Sequence, residues 1–231
     1  MAVCCLTRAI LLDALGTLLK LEPPAPLLRS ELAKRFGVPI GEADAERAIA
    51  AEIAFYRAHF DEGRDQQSLA VLRARCARAL RDALPETARA ELPEAEELVD
   101  ALLASLRFGA YPDVRLALDR FRARRLRLVV VSNWDVSLHD RLRELELSEL
   151  LDGAITSAEA GARKPSAAIF ERALELAGVG AGEAIHVGDS LKEDVAGARA
   201  AGIEPVLLSR HGVAPPADVR SITTLAQLLD R

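Results

Sequence analysis

Asp13 ends a short apolar run, Ala9 to Leu12, with Gly16 and Thr17 three and four residues on. Complementary side chains recur at the ends of later apolar runs: Ser132 and Asn133, Lys164 in the segment after Thr156, then Asp189 and Asp194. A carboxylate nucleophile, hydroxyl and amide donors, a lysine that balances anionic charge and further carboxylates able to hold a hard cation form an inventory for phosphoryl transfer. Magnesium takes oxygen ligands and commonly bridges one or two carboxylates to a phosphate.

These residues need a scaffold that carries them to one edge. The run Ala9 to Leu12, bounded by a turn, reads as a buried parallel strand. After Pro112 a helical stretch to Arg125 leads to a strand at Leu126 to Val131, a helix near Leu138 to Leu145 and a short strand around Ala154 to Thr156. Helix Ala167 to Ala177, strand Ala184 to Val187, helix Val195 to Ala201 and strand Pro205 to Leu208 complete the alternation, which argues an α/β fold with a parallel sheet covered on both faces. In open α/β sheets ligands bind beyond the carboxyl ends of the strands, where the polar residues named above fall.

Between Leu27 and Leu106 the pattern is helical. Leu28, Leu32 and Phe36 are four apart, Ile49, Ile53, Tyr56 and Phe60 follow at four, three and four, and Leu69, Leu72, Cys76, Leu80, Leu98, Leu102 and Leu106 continue the series. Pro23-Pro24, Gly37 to Gly41, Pro85 and Pro93 break this block into four or five helices, with Glu94, Glu96 and Glu97 favouring a first turn after Pro93. An insertion of about 85 residues is long enough to form a small domain of its own.

Composition bounds the function from outside. The chain has 231 residues, of which 50% are hydrophobic and 28% charged, with a formal net charge of −5. Such a chain buries a real core, and its acidic balance argues against nucleic acid as a partner. No apolar stretch approaches the roughly 20 residues that cross a bilayer, so no membrane partner and a cytoplasmic location are expected. Cys4, Cys5 and Cys76 lack metal spacing and read as reduced thiols, neighbouring Cys4 and Cys5 being strained as a disulfide. His59, His139, His186 and His211 are too scattered for a zinc site.

Taken in order, Asp13-Ala14-Leu15-Gly16-Thr17-Leu18, Val131-Ser132-Asn133, Lys164-Pro165 and Val187-Gly188-Asp189-Ser190 followed by Asp194 resemble the four motifs of the haloacid dehalogenase superfamily. The resemblance implies a Rossmann-like core, residues 1–20 and 108–231, with an all-helical cap, residues 21–107, inserted after the first motif. In the family's phosphatases the matching roles place Asp13 as the nucleophile that forms an aspartyl-phosphate. Thr17, Ser132 and Asn133 position the phosphoryl group, and Lys164 balances its charge. Asp189 holds Mg2+ together with Asp13 and the backbone carbonyl of Leu15, while Asp194 supports the lysine or a metal-bound water. A small-molecule phosphate is the implied substrate.

One departure stands out. Phosphatases of this family usually carry a second aspartate two residues after the nucleophile, where this chain has Leu15, and a leucine moves no proton. General acid–base help is worth roughly 10²–10⁴-fold, so alkyl phosphates should suffer and acyl or aryl phosphates should suffer least. The family's 2-haloacid dehalogenases also lack that aspartate, which opens a dehalogenase reading, and a non-catalytic binding or regulatory protein is a third. The acidic fourth motif favours the metal site, because an uncompensated carboxylate beside Asp13 is costly to bury. Trp134 and Asp135 read as packing and turn residues, and Phe55, Tyr56, His59 and Phe60 mostly as core of the helical block.

Overall fold

The computed structural model describes residues 7–210 and 216–229, so Cys4, Cys5 and His211 lie outside the described residues. The chain forms two compact units, one of residues Met1–Lys20 and Ala110–Arg231, the other of Leu21–Gly109.

In chain order the elements begin with β1 (Ala9–Leu12) and β2 (Leu19–Leu21), followed by the helices α1 (Pro24–Phe36), α2 (Glu42–His59), α3 (Gln66–Asp82), α4 (Glu86–Glu91) and α5 (Ala95–Ser105). Then come β3 (Phe108–Ala110), α6 (Val114–Ala123), β4 (Arg127–Ser132), α7 (Leu138–Glu144), β5 (Gly153–Thr156), α8 (Ser157–Ala160) and α9 (Ala167–Ala177). The last are β6 (Ala184–Gly188), a π-helical turn at Leu191–Val195, α10 (Ala196–Ala200), β7 (Glu204–Leu208) and β8 (Arg220–Ile222).

Six strands form one parallel sheet in the order β5-β4-β1-β6-β7-β8. The α/β expectation is met. Every residue of β1, all of β6 and Leu128–Val131 of β4 are buried, as a parallel sheet covered on both faces demands. Ile169, Phe170 and Ala173 of α9 close one face against Leu11, Val129 and Val131. Burying each such large apolar side chain is worth about 1.5–3 kcal/mol.

The consequence for function lies in register. Leu11 pairs with Val129 and with His186, and Leu12 with Val130 and Val187, so β1, β4 and β6 end within two residues of one another. Residues 13, 132 and 189 therefore emerge together at the carboxyl edge.

The other unit is helical, α1 to α5, around buried Leu28, Leu32, Ile49, Leu72, Leu80, Leu98 and Leu102. Its breaks follow local chemistry: Gly37 ends α1 in the left-handed region at φ +71°, and Asp65 with Ser68 forms a capping box at the start of α3. Phe55 stacks on His59 and Tyr56 lies against Phe60 within this unit, the packing that their spacing implies. No helix among the described residues is long and apolar enough to cross a membrane.

Candidate active site

Asp13 is the first residue beyond β1. Its backbone N–H donates to Val187 O at 2.9 Å, which keeps the chain on the β6 side as the strand ends. A tight turn follows, in which Ala14 O accepts from the N–H groups of Thr17, Leu18 and Leu19 at 3.3, 2.8 and 2.8 Å. Gly16 sits at φ +88°, and a Cβ there would lie 2.0 Å from Asp189 Oδ2, so only glycine lets the turn close onto that carboxylate.

Lys164 joins the pieces. It is 2% exposed, and its Nζ donates to Asp13 Oδ1 at 2.6 Å and to Asp194 Oδ1 at 2.6 Å. Ser132 Oγ donates to Asp13 Oδ1 at a longer 3.4 Å. The Thr17 hydroxyl is fully buried without a hydrogen-bond partner, an open donor beside the motif turn. Asn133 turns elsewhere: its Oδ1 accepts from Lys164 N at 2.7 Å and its Nδ2 donates to Lys164 O at 3.1 Å. Leu15 is 38% exposed, and Asp189 is exposed as well.

Asp194 is held on all sides. Oδ1 also faces His186 Nε2 at 2.9 Å, and Oδ2 accepts from Ser190 N at 2.9 Å. Gly188 makes room, since a Cβ there would sit 2.1 Å from Asp194 Cγ. The sequence alone assigns His186 no role, because only the fold brings it to Asp194; Gly188 stands in the fourth motif, but nothing local shows the room it makes for Asp194.

The electrostatics are uneven. Burial pushes the Asp13 carboxyl up to about 7, with Lys164 opposing and Asp194 and Asp189 adding to the rise. Burial works against the Asp194 anion too, but Lys164 and His186 overcome it and hold that carboxyl well below the usual range. Lys164, although buried, is raised by its two carboxylate partners. Burial and Asp194 raise Asp189, and burial keeps His186 low.

Carboxylate oxygens from Asp13, Asp189 and Asp194 lie within 4.8 Å of one another. Three acids face one ammonium, with His186 favoured in its neutral form. A hard divalent cation matches both the donor set and the residual charge.

A family model described as haloacid dehalogenase-like hydrolase matches residues 7–202. The chain belongs to this family. Relatives called haloacid dehalogenase-like hydrolase domain-containing protein 3 include one from Mus musculus, 30% identical over 87% of this chain and 82% of its own length. Against the Xenopus laevis counterpart, 35% identical, the match covers 53% of this chain and only about half, 49%, of that protein. The phosphoserine phosphatase of Thermus thermophilus is 35% identical over 58% of this chain and 54% of its own length. Among solved structures, a phosphatase of this family from Thermococcus onnurineus and a 2-haloacid dehalogenase from Pseudomonas syringae superpose with TM-scores of 0.66 and 0.68, each 26% identical over 97% of both chains.

Proposed function

We propose that this hydrolase is a magnesium-dependent phosphatase of a small-molecule phosphate, acting through an aspartyl-phosphate on Asp13. The carrying observation is the cluster of Asp13, Asp189 and Asp194 carboxylates, in which the Lys164 ammonium pairs with Asp13 and Asp194.

Asp13, Asp189 and the Leu15 carbonyl would hold the ion, with Asp194 completing the acidic cluster. Bound there, magnesium neutralises phosphoryl oxygens and the repulsion between carboxylates. An Asp13 oxygen attacks phosphorus, the bond to the leaving oxygen breaks, and that oxygen departs with the electron pair; water then attacks phosphorus, losing a proton to solvent, and the Asp13 oxygen–phosphorus bond breaks to return the carboxylate and release phosphate. Lys164 offsets charge on the transferred group, while the Ser132 and Thr17 hydroxyls orient it. Asn133 acts through the Lys164 main chain, and Asp194 fixes the ammonium.

Leu15 supplies no proton to the departing oxygen. Acyl and aryl phosphates, whose leaving groups depart as stable anions, are the favoured substrate class. A panel of acyl, aryl and alkyl phosphates, assayed with magnesium in wild type and Asp13→Asn, tests this. Metal-dependent turnover of the first two classes, lost in the variant, is expected; no turnover overturns the reading and leaves a binding role, and turnover unchanged by the substitution overturns Asp13 as the nucleophile.

Leu15 and the Pseudomonas syringae likeness favour a second reading, displacement of halide from a 2-haloacid by Asp13. The Asp189 carboxylate weighs against it. Halide release from 2-chloropropionate in EDTA separates the two.

A further inference from the structure

Outside the carboxylate cluster, one buried cation reaches back to the first-motif turn. Arg210 lies just beyond β7, and its side chain is 9% exposed. Nη2 donates to Thr17 O at 2.7 Å, and Nη1 donates to Asp113 Oδ1 at 2.9 Å. Its guanidinium carbon stands 3.9 Å from the centroid of the Tyr111 ring. Asp113 is fixed in turn, since Oδ2 accepts from Leu225 N at 2.8 Å, and Tyr111 N donates to Leu18 O at 3.1 Å.

The Thr17 carbonyl belongs to no strand or helix; the Leu18 N–H of the same peptide donates to Ala14 O at 2.8 Å, and Arg210 holds the carbonyl end. The same residue carries the buried, unpartnered hydroxyl, and its neighbour Gly16 is the point at which the turn closes onto Asp189. A guanidinium suits the task because its flat fork donates in two fixed directions while stacking, which an ammonium does not do.

We infer that Arg210 is a positioning residue: held by Asp113 and stacked on Tyr111, its guanidinium clamps the Thr17 carbonyl and sets the first-motif turn in its working geometry. The inference rests on the phosphatase reading for its kinetic part and on geometry alone for the clamp.

Arg210→Lys is compared with wild type and with Arg199→Lys, a control at an exposed pair with Asp218. Hydrogen exchange is read at the amides of residues 14–19, and kcat and KM are measured with an aryl phosphate and magnesium. In Arg210→Lys these amides are expected to exchange at least about 10-fold faster, and kcat to fall about 10–100-fold with KM changed less than about 3-fold, the pattern of a misplaced supporting group. Unchanged exchange, or faster exchange with unchanged kcat, overturns the inference.

Should Arg210→Lys fail to fold, Asp113→Asn, which loosens one leg of the clamp, is expected to show both changes at smaller size, and no change there overturns the inference equally. A wild type that turns over no phosphate removes the proposed function, whereas the exchange arm still decides whether the clamp exists.

Discussion

The side-chain amide of Asn133 grips the main chain of Lys164 at two points, accepting from its N–H at 2.7 Å and donating to its C=O at 3.1 Å. The residue after β4 thereby fixes the backbone from which the lysine side chain sets out for Asp13. The geometry of the candidate site at the edge of the sheet thus depends on loop-to-loop hydrogen bonds as much as on strand register.

Lys164→Met should be strongly destabilising. It leaves Asp13 and Asp194 buried without their shared cation, a change worth about 3–5 kcal/mol. Urea unfolding at neutral pH without metal checks this, and a loss below about 1 kcal/mol contradicts the picture of a buried, mutually dependent trio.

Leu15→Asp should restore proton transfer to the leaving group. Turnover of alkyl phosphates is expected to rise about 10²-fold, and that of aryl phosphates far less, because only poor leaving groups need the proton. An equal gain on both classes, or none, speaks against Leu15 as the origin of the expected selectivity.

Gly16→Ala combines an unfavourable left-handed backbone with a methyl group aimed at Asp189. A stability loss of about 1–2 kcal/mol is expected, together with weakened magnesium binding. Calorimetric titration of the folded variant with magnesium chloride gives the second quantity, and wild-type affinity would show that the turn tolerates the methyl.

Glu52, buried in α2 and hydrogen-bonded to Cys76, makes stability fall as pH rises. Burial lifts its carboxyl from 4.5 to about 7, so between those values the folded chain keeps a proton that the unfolded chain has lost. Its contribution is unimpaired below the lower value, declines through the interval and is lost above about pH 7, up to about 3 kcal/mol in all. Glu52→Gln should flatten this slope and be the more stable protein at pH 8. Parallel pH profiles of the two unfolding midpoints would refute the assignment.

Much of the architecture is legible in the sequence because its signals are local. The continuous apolar runs at Ala9 to Leu12 and Val129 to Val131 mark buried strands, and the four-residue spacing of Leu28 and Leu32 marks a helix stripe. What escapes reading is short or tertiary. The strand Arg220–Ile222 has three residues, too few for periodicity, and the turn Leu191–Val195 is π-helical where the sequence offers only a helix beginning at Val195. At the site, residue order points to Asp13, Lys164 and Asp189, yet nothing local reveals that Asn133 faces the Lys164 backbone, that His186 meets Asp194, or that Arg210 reaches Thr17 across 193 positions.

On the proposed function, Asp13 and Asp189 share a divalent ion while Asp13 faces the phosphoryl group. A crystal structure with magnesium and a phosphate mimic measures this most directly. The expected result is a cation ligated by one oxygen from each of the two carboxylates, with the mimic against Asp13 and the Lys164 ammonium. A mimic bound with no cation between the two carboxylates, or Asp13 turned away from it, would rule out the shared ion.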